Sequence, residues 1–113
     1  MTPTTQRDEI PPGTLDMLIL KTLARDSELH GFAIADAIQH TSAGVLHVEE
    51  GSLYPALQRL LIKGWIVGQW SKTDENRRAR YYRLTKSGRK QLEREMATYR
   101  RVARAIALIL NPA

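Results

Sequence analysis

Apolar side chains recur along this chain with two different periods, and the change from one to the other divides it. Leu15, Leu18, Ile19 and Leu23 fall on one helical face between Leu15 and Arg25, with Thr14 placed to cap the first turn. Met17 and Leu20 are apolar on other faces. A helix apolar nearly all round needs burial on more than one side, and a second subunit is the expected source in so small a chain. After a polar turn over 26–30, a second helix is expected over 31–39, with Ile34, Ala35 and Ile38 inward. Residues 41–44 end it, and 45–48 read as a short extended piece. A third helix is expected over 53–63, capped by Ser52, with Leu53, Ala56, Leu57, Leu60 and Leu61 as its buried stripe. Pro55 sits in the first turn, where its missing N–H costs little, and Gly64 supplies the stop.

From Trp65 onward the period shortens. Two runs rich in β-branched and aromatic residues, 65–70 and 80–84, flank the polar stretch 71–79, which predicts a β-hairpin with a long charged tip. Trp65 and Trp70 lie at opposite parities, so they are assigned structural roles on opposite sides, Trp70 covering a domain surface. Tyr82 and Leu84 share a parity and enter the core together. Thr85 then caps a last helix over 86–110. In it Leu92, Met96, Tyr99, Ala103, Ile106 and Leu110 follow steps of four and three, a heptad seam, with Arg94, Arg100, Arg101 and Arg104 on the other faces. The seam predicts dimerisation; the alternative is that it packs back on its own domain. The fold expected is mainly α with a small β-hairpin: a winged helix-turn-helix over 14–85 followed by a long C-terminal dimerisation helix over 86–110. Residues 1–13, with Pro3, Pro11, Pro12 and Gly13, read as a flexible N-terminal arm, and 111–113 as a tail.

Charge changes the picture by its location. Between Lys72 and Lys90 there are eight basic residues and two acidic ones, a net +6 against +5 for the whole chain. The excess positive charge is therefore local, the footprint of a phosphate binder. The 113 residues suit one domain, and 42% hydrophobic with 26% charged residues argues against global disorder. The absence of cysteine excludes disulfides, thiolate metal sites and cysteine nucleophiles. His30, His40 and His47 lack metal-ligand spacing, so no metal and no cofactor is expected. There is no glycine-rich phosphate loop and no nucleophile–base pairing, which argues against an enzyme. Residues 1–12 lack the apolar segment of a secretory signal, and no apolar run could span a bilayer. The expectation is a cytoplasmic protein without membrane contact.

Specific motifs narrow this further. The segment Gly51-Ser52-Leu53-Tyr54-Pro55-Ala56-Leu57-Gln58-Arg59-Leu60 resembles the recognition helix of the PadR family of bacterial regulators. His30-Gly31-Phe32, Gly64-Trp65-Ile66 and the run from Arg80-Tyr81-Tyr82-Arg83-Leu84 to Thr85-Lys86-Ser87-Gly88 resemble that family's second helix, wing entry and second wing strand. The likeness covers roughly Gly13 to Leu110. It implies a homodimer in which the last helix packs on the partner, including the partner's first helix. It also implies a transcriptional regulator, mostly a repressor, released in some members by an aromatic or drug-like small molecule. The chain looks like the short subfamily. Short members that sense drugs hold planar ligands between aromatic side chains, and here the last helix carries Tyr99 but no tryptophan.

With its leucines inward, the third helix would project Ser52, Tyr54, Pro55, Gln58, Arg59 and Lys63 toward a double-stranded DNA operator. Gln58 suits adenine and Arg59 guanine, each through paired hydrogen bonds; Ser52 and Tyr54 suit phosphates. The competing use of Arg59 is a surface ion pair, and that of Tyr54 is packing against the second helix. Lys72, Arg77, Arg78 and Arg80 of the wing are assigned to phosphates, with an arginine available for the minor groove. Met17, Leu20, Leu92, Met96, Tyr99, Ala103, Ile106 and Leu110 are assigned to the dimer interface. The alternative is a winged helix that binds another protein and not DNA, which would present an exposed apolar patch on the third helix and wing.

Overall fold

The computed structural model describes residues 9–111. Helix α1 runs Leu15–Arg25, followed by a two-residue strand β1, Leu29–His30. Helices α2, Gly31–Thr41, and α3, Glu50–Ile62, come next, then strands β2, Ile66–Lys72, and β3, Arg78–Leu84, and finally α4, Lys86–Leu110. The strands form one antiparallel sheet in the order β1-β3-β2. This is the winged helix-turn-helix expected from the sequence, with a long terminal helix.

The third strand was not legible in the sequence. Leu29 pairs with Tyr82 and His30 with Tyr81, but two residues are too few to show alternation. His30 then also begins α2, its Nδ1 accepting a hydrogen bond from the Ala33 N–H at 3.2 Å. The hairpin tip is shorter than 71–79, because the strands zip up to the Lys72–Arg78 pair. Asn76 at φ 63° closes the turn, with the Thr73 N–H donating to Arg77 O at 2.7 Å. Residues 45–48 form no strand beyond a single bridge at Leu46.

Two of the expected side-chain caps are not made. The Thr14 hydroxyl donates to the Pro11 carbonyl at 2.7 Å and does not cap α1. Helix α3 starts at Glu50 with Glu49 as its N-cap, so Ser52 lies inside the first turn. Gly64 does stop α3, at φ 73°, and Thr85 does cap α4, accepting from the Gly88 N–H at 3.0 Å. The Thr85 hydroxyl also donates to Gly64 O at 2.7 Å, tying the start of α4 to the end of α3.

Ile19, Leu20, Leu23, Ile34, Leu53, Leu57, Leu60 and Ile66 form the fully buried centre of the core, closed by Tyr82 and Leu92. Among the helix pairs, α1 and α4 make the most extensive contact. Leu20 is 0% exposed, which corrects its assignment to a subunit interface. The second buried side of α1 is supplied within the chain, by the sheet and by α4. Met17 and Leu92 are likewise buried in this core, and Met96 packs against it. No helix among the described residues is long and apolar enough to cross a membrane.

Candidate nucleic-acid interface

Helix α3 turns Leu53, Ala56, Leu57 and Leu60 into the core. At 100° per residue the opposite face carries Gly51, Tyr54, Pro55, Gln58 and Ile62. Tyr54, Pro55 and Gln58 of the expected reading set are therefore presented outward, all exposed. Ile62 was missed: it is 76% exposed at the centre of that face, and its apolar character hid it among the leucines of the stripe. Tyr54 makes the packing against α2 that was expected as its competing use. Its ring lies against Gly31, where a Cβ would come within 3.1 Å of Tyr54 Cε1, yet half of the side chain remains exposed.

Ser52, Arg59 and Lys63 lie on the flank. Arg59 Nη2 donates to Asp16 Oδ1 of α1 at 2.8 Å, so the ion pair expected as its competing use is made. The Lys63 ammonium sits 4.7 Å from the centre of the Trp65 ring. Ser52 faces a groove shared with Pro11, Gly13 and His47. Helical rotation spreads six residues over more than one face, and these three look toward α1 and α4.

The wing is a two-faced ribbon. Direct pairing of Ile66 with Leu84, Gly68 with Tyr82, Trp70 with Arg80 and Lys72 with Arg78 puts these eight residues on one face. Its base is core; its outer part carries Trp70 and three cations. Arg80 is half-buried: its Nε lies close over Gly68 and has no hydrogen-bond partner among the described residues, and its guanidinium stands 5.9 Å from the Tyr82 ring centre. Arg80, assigned from the sequence to a phosphate, is thus the least exposed of the four wing cations. Burial pushes the Tyr82 phenol above its usual range; the Arg80 guanidinium opposes this, and nearby Tyr54 adds to it. The Tyr54 ring on Gly31 places α3 next to His30, which pairs with Tyr81 of β3. Trp70 is not laid over a domain surface as expected but stays 56% exposed, with the Arg78 guanidinium 4.8 Å from its ring centre. Ion pairs among the described residues are His47–Glu49, Arg59–Asp16 and Arg83–Glu28, so Lys72, Arg77, Arg78 and Arg80 have no carboxylate partner there.

The second half of α4 leaves the core. Tyr99, Val102, Ile106 and Ile109 are exposed at heptad spacing, with Leu108 and Leu110 also exposed and Ala103 half-buried. The expected seam therefore divides: Leu92 and Met96 serve this chain's core, and the positions from Tyr99 onward stay uncovered. Val102 and Ile109 belong to that uncovered stripe and were missed. A groove of about 500 Å³ lies beside it, bordered by Pro12, Met17, Glu95, Tyr99, Val102 and Ile106.

Glu95 Oε2 is sealed from solvent with no partner among the described residues. Burial raises its carboxyl above the ordinary value and Asp16 adds to this, while the Gln91 side chain and Lys63 work against it. A carboxyl with a raised folded-state pKa binds its proton more tightly when folded, so stability falls as pH rises from the ordinary carboxylate value through the raised one. Glu95→Gln is expected to remove that fall. Its stability relative to wild type, measured by urea denaturation, should improve from pH 4 to pH 7; a difference constant with pH would reject the assignment.

The residues 19–94 match the family model described as the transcriptional regulator PadR-like family. The chain belongs to the PadR-like family. An uncharacterised protein X of Lysinibacillus sphaericus is 27% identical over 105 residues, covering 93% of this chain and 95% of its own. An uncharacterised 37.1 kDa protein in a transposon of Streptomyces fradiae is 41% identical over 87 residues, covering 77% of this chain but only 23% of its own length. The crystal structure of a PadR family transcription regulator from Clostridium difficile superposes with a TM-score of 0.74 at 27% identity, covering 88% of this chain and 100% of that one. This PadR-like chain is thus a transcriptional regulator by family.

Proposed function

We propose that this PadR-like chain is a cytoplasmic homodimer that binds double-stranded DNA in a sequence-specific way and represses transcription. One observation carries the reading: the outward face of α3, with Tyr54 and Gln58, stands beside a wing whose cations have no carboxylate partner among the described residues. Gln58 reads a base edge and Tyr54 holds a phosphate. Arg59 contributes to DNA only by leaving Asp16. The apolar stripe from Tyr99 to Ile109 faces its two-fold copy, which makes the contact isologous and spaces two recognition helices for two half-sites. An aromatic or drug-like effector, where one acts, has the groove beside Tyr99 as its seat.

Fluorescence anisotropy on duplex DNA from upstream of the gene, against scrambled duplex and across a salt series, tests this. Wild type should prefer the upstream duplex and show a steep salt slope. Lys72→Ala with Arg77→Ala should weaken both duplexes alike and make the slope shallower by about two, since each phosphate contact contributes roughly 0.9. An unchanged slope would remove these residues from the interface. Exposed Ile62, and Phe32 at the start of α2, favour a second reading in which this face binds a protein. Absence of duplex binding even at low salt would select it.

A further inference from the structure

The turn of the wing carries Asp74 and Glu75 alongside Arg77, so its positive charge is partly offset. The cations Lys72, Arg78 and Arg80 share one face of the ribbon, the face that continues inward to Tyr82. Two of the three are stacked on rings: Arg78 is 4.8 Å from the Trp70 centre and Arg80 is 5.9 Å from the Tyr82 centre. Trp70 is otherwise an anomaly, a large indole 56% exposed on a polar ribbon. A guanidinium laid on an aromatic face is held by cation–π attraction while its edge stays free to donate hydrogen bonds. Holding it in advance lowers the entropy lost on binding. Where a wing meets DNA, a fixed arginine edge matches a narrow minor groove, whose negative potential is deepest over A·T runs.

We propose that Arg78, positioned by Trp70, inserts into the minor groove flanking each major-groove half-site and gives this protein a preference for A·T-rich flanks. The inference rests on the DNA-binding reading above. Trp70 is a positioning residue that acts through Arg78; Lys72 contacts the adjacent phosphate without reading sequence.

The test uses the full-length protein and a randomised duplex library, from which bound sequences are selected and a winning duplex is then varied. Wild type should enrich A·T runs outside the inner, major-groove positions. In the winning duplex, replacing the flanks by G·C should cost about five- to tenfold in affinity. Inosine·C flanks lack the minor-groove amino group of guanine and should restore binding. Trp70→Ala and Arg78→Lys should each bring the flank preference to about one while keeping the inner preferences, and Trp70→Phe should keep part of it. Selection of inner positions with no outer A·T enrichment overturns the inference while leaving DNA binding intact. So does a flank preference unchanged in both variants, or inosine flanks that behave as G·C. Failure to bind any duplex at low salt overturns the DNA reading and this inference with it.

Discussion

Val102→Asp combined with Ile106→Asp is expected to convert the protein to a monomer and to lower its affinity for a two-half-site duplex by about 10²- to 10⁴-fold. Both side chains are exposed in the single chain and lie on the part of α4 that extends beyond the core. The 25-residue helix is about 37 Å long, and only its first part is held by α1. A two-fold axis across the stripe would bring the introduced carboxylates close to their copies, so burial and like-charge repulsion both oppose association. Neither residue belongs to the domain's core, so the variant should still fold, with a thermal transition lowered by the lost association. Light scattering on a size-exclusion column reads the mass, and anisotropy on single-site and paired-site duplexes reads the avidity. A variant that stays dimeric with full affinity would show that the stripe is not the interface.

Leu20→Ala is expected to destabilise the fold by about 2–5 kcal/mol, the range for emptying a leucine site in a packed core. Leu20 is 0% exposed and packed among Ile19, Leu23 and the other core residues. The cavity lies inside one chain, so the loss relative to wild type should be equal at low and high protein concentration, as read by urea denaturation. An interface leucine would behave differently: its truncation would raise the dimer dissociation constant and leave the isolated domain nearly unchanged. Destabilisation that appears only on dilution would return Leu20 to the interface.

These two residue sets separate what periodicity can and cannot say. The heptad steps from Leu92 to Leu110 group these positions along one side of α4, but a stripe does not reveal what covers it. Leu92 and Met96 meet α1 and the core, whereas Tyr99, Ile106 and Leu110 are left uncovered. The all-round apolar character of α1 signalled two-sided burial, and the second side proved to be intramolecular. Ile62 shows the reverse: an apolar residue beside a leucine stripe reads as core, yet one helical step rotates it to the surface. Arg59 and Asp16 are 43 positions apart in sequence, so nothing local could select that ion pair over a base.

The sequence by itself determined the order of the four helices and the hairpin, the bounds of α4, the Gly64 stop, the Thr85 cap and the basic segment around the wing. Each of these rests on interactions within a few residues: hydrogen bonds at helix ends, the left-handed backbone of glycine, and the repeat of a side-chain stripe. The tertiary structure alone decided that Leu20 is core, that His30 and Leu29 form a third strand, that Arg59 turns to α1, and that Arg78 lies on Trp70. Those outcomes depend on which surfaces meet across long separations in sequence, and contact between distant segments is set by packing of the whole chain.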